Sequence, residues 1–592
     1  MTFYNWGRKW IAFILTLVVA IALSGCNPTE FKSQAAQVTQ LIARTPVDPK
    51  TFNYALIQES PNVSAFIHEG LVTENGLTGK LEPALAESLG EVSDDNKRYV
   101  FTLREGLKWS DGEPLTVDDI IFSFNDIYLN KRIPTYTQDG LRIGASGAFP
   151  QVRKISDRRV EFTLPEPFAP FLRNVAGTAI LPKHVLLESV KTNRADGRPV
   201  FLSTWGTDTD PAKIIVNGPF RIESYEPNQR IVFRRNPYYW RKDAQGNPQP
   251  RLERLIWQIV EAPDTALIQF RSGGLDIIEI GPASFQLLKR EEKRGNFTIQ
   301  NAGPDTGTVF ITFNLNKGSR NGKPLISPIK SRWFNNVAFR QAVAYALNRQ
   351  EMLNNVFRGL GALQNSPISV QSPYYLSPQE GLKVYNYNPK KARELLLGAG
   401  FKYDNKNQLL DADGNHVRFT MLTSAGSRLG EALTSQIRGD LGKVGIRLDI
   451  QAVDFNVLGD KQSNTLDWEC YFGAITGGVE PASGLNVWLP EGNYHVFNQK
   501  PQPGQAPVQG WEASDWEKKI GELYIQGSQV VDEAKRKAIY AQTQRLAQEY
   551  LPYIHLINPL SLAAIRNDIQ SVKYSAIGDY RWNIYEVRNV KE

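Results

Sequence analysis

The stretch Leu81–Tyr128, LEPALAESLGEVSDDNKRYVFTLREGLKWSDGEPLTVDDIIFSFNDIY, confines the chain to a mixed α/β fold. Ser93, Asp94, Asp95 and Asn96 are turn formers whose side chains bond their own backbone. From Tyr99 to Leu103, large, β-branched and aromatic residues alternate, which predicts a half-buried strand. Gly106 ends it, and Ser110-Asp111-Gly112 marks a second turn. Thr116 with Asp119 three residues on forms an acidic version of the capping box. Beyond it Ile120, Phe124, Ile127 and Tyr128 share one helical face. A strand, a turn and a capped amphipathic helix therefore follow one another.

The same residues, in the order acidic turn, strand, L-R-E-G, aromatic, D-G, P-L-T and capped helix, resemble the signature region of the extracellular solute-binding proteins of peptide- and nickel-type ABC importers. The resemblance continues through Ile180-Leu181-Pro182-Lys183-His184, Asn217-Gly218-Pro219-Phe220, Asn236-Pro237-Tyr238-Tyr239-Trp240 and Gly274-Leu275-Asp276-Ile277, and spans about Thr45 to Tyr585. It implies a three-lobed periplasmic binding protein fold of type II, cluster C. Two large α/β lobes are joined by a hinge, and a smaller lobe is inserted in the first. On this reading residues 45–83, 214–305 and 560–592 form lobe I, 84–213 the small lobe II, and 306–559 lobe III. Hinge closure around a ligand is the motion such lobes support.

The first residues speak for a compartment. Arg8-Lys9 is a basic start, and Trp10–Leu23 is an apolar run of 14 residues. That is short of the roughly 20 a spanning helix needs and suits a signal segment, residues 1–25. Leu23-Ser24-Gly25-Cys26 matches the lipobox of bacterial lipoproteins, which implies a lipid on Cys26 and a polar tether over 26–44. The protein is then expected in the periplasm or on the outer face of the cytoplasmic membrane, held there by the lipid alone. Cys470 lacks a partner once Cys26 is acylated and reads as a small buried hydrophobe. The formal charge of +7 is dispersed among 61 acidic residues, so no nucleic-acid partner is expected.

Farther along, one helix is expected over 335–357, another after Asn388-Pro389, and another over 426–446. A strand over 447–454, a last helix pair over 516–551, and a strand beginning at Pro552 and returning to lobe I complete the outline. Asp411-Ala412-Asp413-Gly414-Asn415 reads as a hairpin turn, since its glycine and acids miss the calcium-loop spacing.

The residues that mark enzymes are missing. No G-x-x-x-x-G-K-[S/T] or G-x-S-x-G motif occurs, and His68, His184, His416, His495 and His555 are scattered. No catalytic residue, metal or cofactor is therefore assigned. The candidate ligand site is the strand end from Asp467 to Trp488, where Thr476, Gly477 and Gly478 bring bare backbone near a ligand. In the family's peptide binders an aspartate in this turn pairs with the ligand's α-amino group. Gly478 holds the matching position here, and Glu480 either takes over that role or simply starts a loop. Trp488, Tyr494 and Tyr54 are candidates for the pocket wall, with ordinary core packing as the competing reading. The resemblance implies a monomer that hands peptides or similar solutes to an ABC permease and its ATPase. An oligosaccharide, an opine or a nickel chelate, or sensing without transport, are the alternatives.

Overall fold

The computed structural model describes residues 38–56, 63–135, 137–144, 147–502 and 505–590. Cys26, the signal segment and residues 26–37 of the expected tether lie outside them. The tether expected to reach residue 44 is cut short, because Gln40–Thr45 is already a strand. Leu41, Ala43 and Thr45 point inward at period two, and the strand pairs in parallel with Arg254–Ile259.

The strands sort into lobes. In lobe I, Gln40–Thr45, Arg254–Ile259, Arg230–Arg235 and Phe220–Glu226 lie side by side, and a second sheet sets Ile557–Arg566 between Ile277–Glu279 and Phe297–Pro304. Lobe II carries four antiparallel strands, with Arg98–Thr102 and Arg159–Thr163 in the middle. Lobe III is a five-stranded sheet in the order Arg447–Val453, Arg418–Ser424, Cys470–Ile475, Thr308–Phe313, Tyr553–His555.

Lobe III has its own core, whereas lobes I and II share one that runs from Leu41 and Trp257 to Phe162 and Val190. Tyr99 and Phe101 of the strand Arg98–Thr102 sit in this shared core and Val100 is buried on the other face, so it is not the half-exposed strand its alternation predicts. The helix after it is capped as expected. Thr116 Oγ1 accepts from the Asp118 amide and the Asp119 carboxylate reaches back to the Thr116 amide at 2.8 Å. Ile120, Phe124, Ile127 and Tyr128 are fully buried. The helix widens into π turns over Phe122–Tyr128, which turns Phe122 and Ser123 inward as well. Ser123 Oγ then donates to Asp119 O and receives the Leu181 amide, tying the helix to the next segment.

The single helix expected over 335–357 is broken into two, Val337–Ala346 and Arg349–Asn355, the second and third of a run that begins with the separate helix Pro328–Asn335. Asn336 and Asn348 cap the second and third, because their side-chain oxygens compete for the amides a continuous helix would use. The helix after Asn388-Pro389 forms as expected, as do Arg428–Lys443 and the pair Asp515–Gln529 and Glu533–Tyr550. Asp411 folds over its own turn, accepting from the Asp413 and Asn415 amides, as a hairpin turn should. Tyr553–His555 does not yet leave lobe III; it is an edge strand there, and Ile557–Arg566 makes the crossing. The other crossing follows Phe297–Pro304, and the Asp305 amide donates to Pro559 O where the two run together. No described helix is long and apolar enough to cross a membrane.

Candidate functional site

The lobe III wall is built at the end of Cys470–Ile475. This strand is held by Thr308–Phe313 in register, Thr308 opposite Ile475, so the turn that follows falls beside the crossing into lobe I. Thr306 Oγ1 donates to Gly477 O at 3.0 Å. A Cβ on Gly477 would stand 2.0 Å from Thr306 O, so only glycine lets these segments meet, whereas Gly478 has open space on its Cβ side. Thr476, Gly477, Gly478, Glu480, Trp488 and Tyr494 all line one cavity of about 610 Å³.

Their surroundings differ. Thr476 and the two glycines are exposed, and Tyr494 keeps 54% of its surface. Trp488 is both wall and core: it stacks on Tyr524 at 5.7 Å and meets Tyr553 edge-on. Tyr54 is elsewhere, in a separate cavity of about 310 Å³ between lobes I and II, where its hydroxyl donates to Gly177 O. The structure therefore brings together all the expected ligand-site residues except Tyr54.

Glu480 is buried and already paired. It is 6% exposed, caps the short 3₁₀ helix Pro481–Gly484 by accepting from the Ala482 amide, and forms an ion pair with Arg536 at 2.5 Å. Arg536 also donates to Gly527 O at 2.8 Å and Tyr374 Oη at 2.5 Å, with its guanidinium 4.6 Å from the Tyr374 ring centre. Burial pulls the Arg536 pKa down, but Glu480 together with Tyr540 and Tyr374 outweighs it and the net direction is up. Of the two roles weighed from sequence, the loop start is the one seen, as the cap of Pro481–Gly484, and the charge is matched by a partner inside the fold.

Other charged and polar groups were not legible. His555 Nδ1 bonds Thr308 Oγ1 at 2.9 Å, and burial, helped by Arg349, pushes its pKa down to about 3. His495 lies inside, bridging Val487 O and Glu517, and so pins the loop that presents Tyr494. Glu279, at the end of its lobe I strand, is raised by burial and by the charges of Asp579 and Asp305, with Arg581 and Arg44 pulling the other way. Cys470 is fully buried and its thiol is pushed up by burial, as befits a packed hydrophobe. Among the described residues no group of three or more His, Cys, Asp or Glu side chains could hold a metal ion.

The lobes touch across the cleft. The Ala169 amide of lobe II donates to Ser528 O of lobe III at 2.7 Å, and Gln529 Nε2 donates to Glu166 Oε2 at 3.0 Å. Glu74 pairs with Arg173, which also donates to Gly79 O, and the raised pKa of Glu74 comes first from burial, with Glu480 adding from the facing lobe.

Residues 80–495 match the bacterial extracellular solute-binding proteins, family 5 middle. The chain belongs to that family. It is 31% identical over 86% of its length to the protein named Probable ABC transporter-binding protein in Deinococcus radiodurans, covering 85% of it. Among solved folds it is similar to the oligopeptide-binding protein AppA from Bacillus subtilis in complex with a nonapeptide, with a TM-score of 0.69 and 22% identity over 93% of this chain and 99% of that one. It is also similar to the periplasmic binding protein MelB of Agrobacterium fabrum in complex with stachyose, with a TM-score of 0.71 and 21% identity over 93% of this chain and 84% of that one. The fold is that of type II periplasmic binding proteins of cluster C, and the family is one of substrate-binding proteins for peptide- and nickel-type ABC importers.

Proposed function

We propose that this family 5 protein is a lipid-anchored receptor that closes its lobes on a solute and delivers it to an ABC permease with its ATPase. The observation that supports this most is the cavity of about 610 Å³ in lobe III beside the two crossings, lined by the Thr476–Gly478 turn. A ligand held there favours closure by the contacts it gains only when the lobes shut. Peptides enter as candidate solutes because AppA, similar to this chain, holds a nonapeptide. The anchor rests on Leu23-Ser24-Gly25-Cys26.

Two measurements test the reading. Cys26→Ser should move the protein from the membrane fraction to the soluble one; a cleaved variant that stays bound after a salt wash removes the lipid from the account. Solution scattering should show a smaller radius of gyration with a bound solute than without. Superimposable curves at saturation would mean a rigid scaffold.

A further inference from the structure

What a solute can present to the Thr476–Gly478 turn depends on which groups there still have hydrogen-bonding capacity to offer. Glu480 is the one carboxylate among the residues lining the cavity, and its charge is already matched by Arg536. His555 is neutral and engaged by the Thr308 hydroxyl. Across the lobe boundary Glu74 is engaged by Arg173. By contrast, Thr476, Ser483, Asn486 and Tyr494 line the cavity, are exposed, and make no side-chain hydrogen bond within the described residues. They are hydroxyls and an amide, able to donate and accept but carrying no charge. Tyr494 adds a half-exposed ring beside them.

An ammonium that leaves water here would find its natural partner taken, and a desolvated charge without a partner is strongly disfavoured. Hydroxyls of a ligand meet the reverse situation, since each finds a donor or acceptor with a free valence. On the strength of the receptor reading, we propose that the solute presents an uncharged, hydroxyl-rich surface to this turn, as an oligosaccharide does, and not the ammonium of a peptide. The aromatic ring of Tyr494 suits the apolar face of a pyranose, and the open side of Gly478 lets the sugar ring come close.

The test uses the purified chain with three kinds of probe: neutral tri- and tetrasaccharides, a zwitterionic tetrapeptide, and the same peptide N-acetylated. Calorimetry should find a saccharide that binds and contracts the protein in solution scattering. Acetylation should change the peptide's affinity by less than about threefold, well inside the tenfold that 1.4 kcal/mol represents. Gly478→Asp, whose Cβ has open room, should fold and create a preference of about tenfold or more for the free ammonium. A wild-type preference of that size for the free ammonium overturns the charge assignment, wherever in the cleft the ammonium is held, and leaves the receptor reading intact. No contraction with any probe overturns both.

Discussion

Arg536→Met is the sharpest perturbation the site offers. The side chains of Arg536 and Glu480 keep only 6% and 5% of their surface, so the substitution strands a carboxylate away from water. Breaking a buried pair by removing one partner costs about 3–5 kcal/mol. The change also removes donors to Gly527 O and Tyr374 Oη and the stacking of the guanidinium on Tyr374 and Tyr540. Methionine keeps much of the apolar stem, so packing loss is kept small. A loss of about 4 kcal/mol is therefore expected, most of it electrostatic. Glu480→Gln should also destabilise, because it leaves the guanidinium buried and weakly matched, while the bond from the Ala482 amide can survive. In the double variant neither charge remains, so the loss should fall short of the sum of the singles by about 2 kcal/mol. Urea denaturation followed by tryptophan fluorescence measures all four proteins. An Arg536→Met loss under about 1 kcal/mol, with additive behaviour in the double variant, would mean the pair is solvated, as surface pairs are. Glu480 would then be free to meet a ligand.

Acid should weaken the fold through His68 and His555. Burial holds both neutral, with pKa values of about 3 against an ordinary 6.5, so the unfolded chain binds protons that the folded one refuses. Stability is full above pH 6.5 and falls as pH drops toward 3, by about 1.4 kcal/mol per pH unit for each histidine; His68→Gln should remove one share of that slope, and an unchanged slope in urea titrations refutes it. Glu517 adds to the loss at lower pH. Burial opposes its ionisation, but hydrogen bonds from His495 and Asn498 prevail and hold its pKa below 4.5, so its contribution is present above that value and disappears below it. Gly477→Ala should lose at least about 1–3 kcal/mol through the clash with Thr306 O, whereas Gly478→Ala should melt like the wild type; equal melting temperatures for the two would sink the close-approach argument. Glu166→Ala with Gln529→Ala should widen the unliganded protein in solution scattering, since one of the bonds between lobes II and III is lost.

Local chemistry carried most of the fold into view. The capping box at Thr116, the Pro at the start of Pro389–Gly398 and the Asp411 turn are written within a few residues of where they act. The breaks at Asn336 and Asn348 were written there too, but an apolar face continuing past them masks a cap that only competition for amides reveals. The site was harder. Thr476, the glycines, Trp488 and Tyr494 cluster because they follow one strand, so a single stretch of sequence finds them together. The partner of Glu480 is on a helix 56 residues away, and nothing near Arg536 announces it. Tyr54 failed for the same reason in reverse: it lies near the ligand stretch in no sense but aromatic character, and the lobe I–lobe II packing claims it. The strand at Gln40 was missed because six residues of modest alternation resemble a polar tether until a far-off strand supplies their hydrogen bonds.

The interleaving of lobe I has a consequence for how the molecule is made. Lobe III is one unbroken run between the crossings, and its core closes without help from either end of the chain. Lobe I needs Gln40–Thr45 beside Arg254–Ile259, Ile557–Arg566 between two earlier strands, and Asn589 bonded back to Gln40. During synthesis or export its second sheet waits with an open centre until nearly the whole chain has emerged. Long-range pairing of this kind is slow and leaves strand edges unpaired meanwhile. A chain stopped before Ile557 should therefore hold a folded lobe III on an unfinished lobe I, ready to stick to its neighbours, which makes the last segment to arrive the one that decides yield.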